Sequence, residues 1–381
     1  MKYKMSLLNQ FVTFSVMHTR ICHISSVHKF PDTRIFYKEC KSLAKRYDVY
    51  HIAANTDDAV LDNVKIRGVS LSSNRVFRVL QLNKVYKKAL EIDADIYHLH
   101  DPELINMGAK FKKRGKKVIF DSHEDIPLDI AEKKWIPAIL RNPLSKYYSN
   151  LEKREFKKFD ALISVTPSIV NKLKVINPNT YQVTNYPPIS EFVDERKWNR
   201  TICFAGIISP NWLHHCIVES LSDLDVVYTI AGRGPQQYIN SLKSCNNGKK
   251  VEYVGVLKQE KVRSFIQGST IGMALYDYLP SFGYKLGSLG NNKLFEYMAA
   301  GIPMITTDFV LWKEIIDKYH CGICVNPHNP NDIASAIKYL MDNPKLCKEM
   351  GDNGRKAVTE YYNWSSQEEI LFKVYEYVEN L

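Results

Sequence analysis

The 381-residue chain is too long for one ordinary core and is expected to fold as two domains of roughly 150–200 residues. With 45% hydrophobic and 24% charged residues it is not a disordered chain, and no run reaches the ~18–20 apolar residues of a membrane-crossing helix. The net charge of +11 points to an anionic partner: nucleic acid, an anionic membrane surface or a phosphorylated substrate.

Residues 1–18 read as an N-terminal extension. Their apolar positions are broken by Asn9 and Gln10, and His18-Thr-Arg stands where a signal peptide would want small residues. Met17 is the expected original start, and the protein is expected to stay in the cytoplasm. From Thr19 short β-rich runs alternate with amphipathic stretches: strands at 21–25, 49–53, 95–100, 117–121 and 161–165, and a helix over 34–45. This alternation predicts a parallel sheet covered on both faces, with ligand loops after Ser25, His100 and Asp121. Asp32 and Arg34 can cap and pair at the helix start, or face a ligand. His98 and His100 alternate along their strand and are expected on opposite faces, with His100 and Asp101 nearer the cleft. His123 sits in a ligand loop, or is a strand-end histidine satisfied by Asp121 or Asp125.

Three basic stretches stand out: 75–88, the lysine run from Lys110 to Lys117, and 133–141 around Trp135. The lysine run reads as a solvated helix end, and part of the first or third can be core. The first and third also suit an anionic bilayer interface. Nucleic acid is not expected, because no recognition motif accompanies the charge. Asp93-Ala-Asp95 has the spacing of a metal clamp but precedes a strand, so no metal is expected there. Cys321 and Cys324 lack a second pair of matching spacing and read as buried thiols.

Prolines at 187 and 188 interrupt the pattern. The domains are accordingly placed at 19–185, a linker at 186–200, a second domain at 201–362 and a bracing helix at 363–381. The second series has strands at 201–205, 226–231, 251–254, 271–275 and 303–306. Its most informative stretch is Gly290-Asn-Asn-Lys-Leu-Phe-Glu-Tyr-Met-Ala-Ala-Gly-Ile-Pro303, which predicts a helix from about Lys293, capped by Asn291 or Asn292 and ended by Gly301. A helix N-terminus suits a diphosphate, and Glu296 one turn further in can accept hydrogen bonds from a ribose diol.

This segment resembles the signature of glycosyltransferase family 4, an Asn-Lys-Leu-Phe-Glu-Tyr-Met variant that residues 292–298 reproduce in full. His98-Leu-His-Asp-Pro-Glu103, Asp121-Ser-His-Glu-Asp125 and the Ala231-Gly-Arg-Gly-Pro235 turn resemble further family elements. The resemblance implies the GT-B fold, two Rossmann-like doubly wound domains facing across a cleft. It implies donor contacts at Glu296, Asn292, Lys293, Arg233 and Gly206. It places Ser288 at the position of the family's first acidic residue, His123 and Lys293 in catalysis, and Asp32, Arg34, His100 and Asp101 on cleft loops. The loop from Gly206 to His215 lacks the basic residue that family members commonly use on the diphosphate; Arg233, Lys285 or His214 remain as sources.

The implied function is retaining, metal-independent transfer of a hexose-type sugar from a nucleoside diphosphate-sugar, with no cofactor. The expected acceptor is a glycan or lipid-linked oligosaccharide at the inner face of the membrane, as in capsule or O-antigen assembly. A sugar-nucleotide epimerase of the same architecture and a non-catalytic partner subunit are the rival readings. Product analysis separates the first, and binding of nucleoside diphosphates the second.

Overall fold

The computed structural model describes residues 19–133, 136–189 and 194–381. The expected extension 1–18, Trp135 with Lys134, and residues 190–193 of the expected linker lie outside the described residues. Two sheets organise the rest. The first comprises β1 (Arg20–Lys29), β2 (Asp48–Ala54), β3 (Ala59–Leu61), β4 (Val64–Val69), β5 (Ile96–Leu99), β6 (Lys117–Ser122), β7 (Ala161–Ser164) and β8 (Thr180–Gln182), in the order β3-β4-β2-β1-β5-β6-β7-β8. All its pairings are parallel except the β3–β4 edge hairpin, which the hydrophobic pattern did not disclose.

The second sheet comprises β9 (Thr201–Ala205), β10 (Val227–Ala231), β11 (Val251–Gly255), β12 (Ile271–Ala274), β13 (Met304–Thr307) and β14 (Gly322–Val325), in the order β11-β10-β9-β12-β13-β14. It is wholly parallel. In both sheets the strand order reverses beside the first strand, between β1 and β5 and between β9 and β12. A crevice opens at such points, where consecutive crossovers leave in opposite directions.

Local chemistry explains the helix boundaries. Asn74, Asp125, Thr166, Asn329 and Asn363 each accept a backbone N–H of the turn they open, and Pro167 and Pro330 occupy first-turn positions where no N–H is needed. The central strands β5, β12 and β13 are buried throughout, as parallel strands covered on both faces must be. The Trp364–Glu379 helix leaves the second half and buries Leu371, Val374, Tyr375 and Val378 in the core of the first. Gln367 accepts the Thr184 amide and the Trp364 indole donates to Ser42, pinning this return helix to the first half at two points.

The segment expected as an α-helix over 34–45 is instead a π-helical turn, Ile35–Cys40, followed by one α turn, Lys41–Leu43. The amide of Tyr37 reaches back five residues to the carbonyl of Asp32 at 3.2 Å. Such wide turns recur at functional sites because they re-aim the side chains that follow. Here the re-aimed groups are Tyr37 and Lys38.

Candidate active site

The second half offers a helix end. The Lys293–Ala300 helix starts beside the carboxyl end of β9, and the side chain of Asn291 accepts the Lys293 amide at 2.9 Å. Asn292 holds the cap position without a side-chain cap bond, so the alternative of either asparagine resolves to Asn291. Lys293 and Glu296, one turn apart, pair at 2.7 Å. A Cβ on Gly206 would come within 2.6 Å of Lys293 Cε, so the bare backbone of that loop lets the lysine lie across it. A Cβ on Gly232 would stand 1.7 Å from the Gly206 carbonyl, which only glycine permits. Gly301, with φ of +74°, ends the helix.

A cleft of about 380 Å³ lies at this helix end and is lined from both halves. The first half contributes Thr33, Tyr37 and Lys38, the crossing Pro187 and Pro188, and the second half Arg263, Asn292 and Glu296. Another cavity of similar size, around Arg20, Arg67 and Lys88, is walled by residues of the first half alone, none of them on a ligand loop. Chemistry and sheet topology therefore both select the first. Lys38 is buried, and its ammonium donates to the Asn185 carbonyl at 3.0 Å and to the Asn185 side chain. Burial and the neighbouring Arg34 push its pKa down to about 7, against the opposing pull of Glu296.

The first half holds a buried polar network instead. His23 on β1 and His98 and His100 at β5 lie against one another; the rings of His98 and His100 stack with centroids 4.4 Å apart. The expectation of opposite faces was wrong: side chains alternate with a period of two, so positions 98 and 100 share a face. Arg34 does not reach the cleft either. It is buried and donates to Asp121 Oδ2 and to the Val183 carbonyl, each at 2.8 Å. Asp121 is held well below the usual carboxylate range by Arg34 and by His123, despite its burial. Burial lowers His98 and His23, and lowers His100 to about 4, so all three imidazoles are neutral.

His123 sits at the rim of this network, partly exposed, with Nε2 3.1 Å from Asp121 Oδ2. That contact leaves Nδ1 as the nitrogen able to meet a ligand. Asp32 caps the π-turn by accepting the amides of Arg34 and Ile35 and lies 3.4 Å from His28. Asp101 is buried and accepts the amides of Ser26 and Val27, which shapes the end of β1. None of Asp32, Arg34, His100, Asp101 and His123 lines the cleft.

The remaining expected residues separate. The Ser288 hydroxyl accepts the Gly290 amide, and its carbonyl accepts the Trp312 indole N–H, so this position shapes the loop before the helix. Arg233 is exposed and its carbonyl accepts the Ile208 amide. Lys285 is exposed over the Tyr278 ring. His214 cannot supply the missing positive charge: it is fully buried 2.8 Å from the Tyr228 hydroxyl, and burial lowers its pKa to about 3. Sequence reasoning missed Lys38 and Arg263. The advance signal for Lys38 was its place four residues after Arg34, in the helix expected to follow a ligand loop.

The lysine run is largely committed to intramolecular partners. Lys112 pairs with Asp160 and Lys116 with Asp93, each at 2.7 Å, and Lys117 donates to the Glu379 carbonyl. By contrast, the Arg75–Ile92 helix exposes Val76, Phe77 and Leu80 near Lys84, and Ile139 and Leu140 are exposed on the Ala138–Glu155 helix. Among the described residues no helix is long and apolar enough to cross a membrane.

Residues 33–180 match the family described as Glycosyltransferase Family 4, and residues 188–357 match Glycosyl transferases group 1. A D-rhamnosyltransferase of Pseudomonas aeruginosa is 24% identical over 301 residues, spanning 75% of this chain and 72% of that protein. The solved sucrose-phosphate synthase of Thermosynechococcus elongatus aligns with a TM-score of 0.72 at 15% identity, over 94% of this chain and 98% of that one. Anabaena HepE in complex with UDP-glucose aligns with a TM-score of 0.70 at 13% identity, over 96% and 100%. At such low identities the two structural likenesses establish the fold alone.

Proposed function

We infer the reaction from one premise: the chain belongs to the family 4 glycosyltransferases, has their GT-B fold, and carries a group 1 transferase domain as its second half. It moves a hexose-type sugar from a nucleoside diphosphate-sugar to a glycan acceptor with retention of anomeric configuration, in the assembly of a cell-surface polysaccharide such as O-antigen or capsule. The observation that carries this reading is the cleft in which Asn292 and Glu296 meet Thr33, Tyr37 and Lys38 across the two halves. Glu296 takes the ribose hydroxyls, and the helix N-terminus with Lys293 takes the diphosphate. Lys38 and Arg263, from opposite walls, bring the basic charge that the Gly206 loop lacks. The relatives agree in kind: one is named for rhamnosyl transfer, and one neighbour holds UDP-glucose.

In the transfer the bond from the anomeric carbon to the diphosphate oxygen breaks, and a bond to the acceptor hydroxyl oxygen forms on the same face. The acceptor proton passes to the departing phosphate. Charge grows on that phosphate, and prearranged N–H dipoles and ammonium groups stabilise it there without reorganising. His123, which Asp121 orients, lies outside the lining of that cleft and meets the sugar through Nδ1 where the sugar extends beyond it. The step needs no divalent ion, because Lys293, Lys38 and the helix end occupy the electrostatic role. The acceptor is lipid-linked, and the exposed apolar residues of the first half, with Lys84 beside them, rest on the anionic inner face of the membrane.

The test is turnover of a panel of nucleoside diphosphate-sugars with lipid-linked acceptors, with and without added magnesium or manganese, read by NMR at the new anomeric centre. Product with retained configuration and an unchanged rate without either ion is the expected result. Strict dependence on magnesium or manganese, inversion, or isomerised donor in place of transferred sugar would each overturn a stated part of the reading.

A further inference from the structure

We propose that His23, His98, His100 and Glu39 hold one divalent transition-metal ion of the zinc class, as a closed structural site in the core of the first half. One ligand atom from each of these four fully buried side chains lies within 4.8 Å of the other three. The nearest trio is already compact: His23 Nδ1 stands 2.9 Å from His100 Nε2, and Glu39 Oε2 lies 4.0 and 3.9 Å from those two nitrogens. Tetrahedral zinc with bonds of about 2.0–2.1 Å wants its ligand atoms about 3.3 Å apart, so the longest separation must close by about 1.5 Å through side-chain torsions.

The polar accounting of the core points the same way. Both carboxylate oxygens of Glu39 and Nε2 of His98 are buried without a hydrogen-bond partner. Arg34 Nε lies 3.0 Å from Glu39 Oε1, but its N–H is directed to Asp121. Buried acceptors without a hydrogen bond are costly and rare; Glu39 and His98 carry three between them, and of these Glu39 Oε1 has the Arg34 ion pair. A cation that accepts their lone pairs removes the cost at once.

The far sides of two of the rings, His23 and His98, are hydrogen-bonded as metal-bound imidazoles require. His23 Nε2 and His98 Nδ1 stand 3.1 and 2.7 Å from the Tyr375 hydroxyl, and His100 Nδ1 is 3.7 Å from Asp121 Oδ2. A phenolic oxygen has two lone pairs and can accept from both rings, which selects the tautomers that leave His23 Nδ1 and His98 Nε2 free to ligate. Neutral nitrogen ligands and one carboxylate suit zinc, and four protein ligands with no open position mark a structural rather than a catalytic ion. The ion would tie β1, β5 and the π-turn to the return helix, whose Tyr375 lies 352 residues from His23 in sequence. This site is independent of the transfer reaction, which draws on neither the ion nor its four ligands.

The untagged full-length chain is produced in zinc-supplemented medium, gel-filtered and assayed by elemental analysis; about one equivalent of zinc per chain is expected. Protein grown with Co²⁺ should show the strong visible bands of four-coordinate cobalt. His98→Gln should lower the metal content at least tenfold and abolish those bands, whereas His123→Gln, outside the set, should keep both. Should His98→Gln fail to fold, Tyr375→Phe replaces it; by loosening two ligands it should weaken metal retention about 10–100-fold against a competing chelator. Folded wild-type chain free of metal after growth in either ion would overturn the proposal. So would cobalt bands that survive His98→Gln or Tyr375→Phe but vanish in His123→Gln, which would move the ion to His100, Asp121 and His123.

Discussion

The two halves share a strand plan and differ in what they place at the point where the strand order reverses. In the second half, β9 and β12 run through Phe204, Ala205, Met273 and Ala274 beneath Leu294, Tyr297 and Met298, all apolar and buried. Among the described residues no Asp, Glu, Lys or Arg is buried in that core, and the ligand chemistry sits at the helix end and the Gly206 loop above it. In the first half the same location holds His23, His98, His100, Arg34, Glu39 and Asp121, packed under the return helix. Function and stability are therefore separable in the second half and entangled in the first: a ligand residue can be cut from a helix end without opening a cavity, but not from a buried charge network.

Acid should expose that difference most strongly. His23 and His98 lie well below their ordinary pKa, His100 near 4 and His51 near 3, all through burial; in the second half His214, near 3, is the corresponding group among the described residues. Their folded values are below the unfolded one, so the unfolded chain binds the extra protons. Their contribution is full above about pH 6.5 and is lost as pH falls toward 4, at up to about 1.4 kcal/mol per pH unit for each. Glu39, raised by burial, runs the other way above its ordinary value and cancels about one of these slopes. Amide exchange between pH 7 and 5 should show the first half losing protection well before the second. A metal ion bound there leaves the sign unchanged, since protons compete for the same nitrogens. Equal loss in both halves would erase the contrast.

Arg34→Met comes next in size. It leaves Asp121 and Glu39 buried without their cation and should cost about 3–5 kcal/mol in denaturant unfolding of the first half. Glu296→Ala should cost about 1–3 kcal/mol in nucleoside diphosphate affinity by calorimetry, with the unfolding midpoint unchanged. Together they form the sharpest pair: one side chain moves stability, the other only binding. If Glu296→Ala destabilises the fold as much as Arg34→Met, the separation fails.

The smallest effect concerns Lys38, which belongs to the first half but faces the cleft. With its pKa near 7, a bound diphosphate should raise it, so binding takes up a proton above that pH. Affinity should fall from pH 7 to 9 by at most about 1.4 kcal/mol per pH unit. Lys38→Met should flatten that slope in a calorimetric pH series. A slope retained in the variant would assign the proton to another group.

The alternation of β-rich and amphipathic runs determined both sheets in outline. The stretch Asn291 to Gly301 determined its own cap, helix and stop, because each depends on neighbours within a few residues. Asp32 likewise caps its own turn. The local pattern misjudged what depends on distant partners. Arg34 stands in a predicted ligand loop, yet Asp121, 87 residues away, draws it inward. His98 and His100 were expected on opposite faces of their strand, yet both rings pack against His23. Lys38 faces the cleft because a π-turn replaced the expected α-helix. In parallel sheets every strand partner is reached through a long crossover, so no short window of sequence contains both members of a contact. Tertiary structure alone decided which charges this protein buries and which it offers to a ligand.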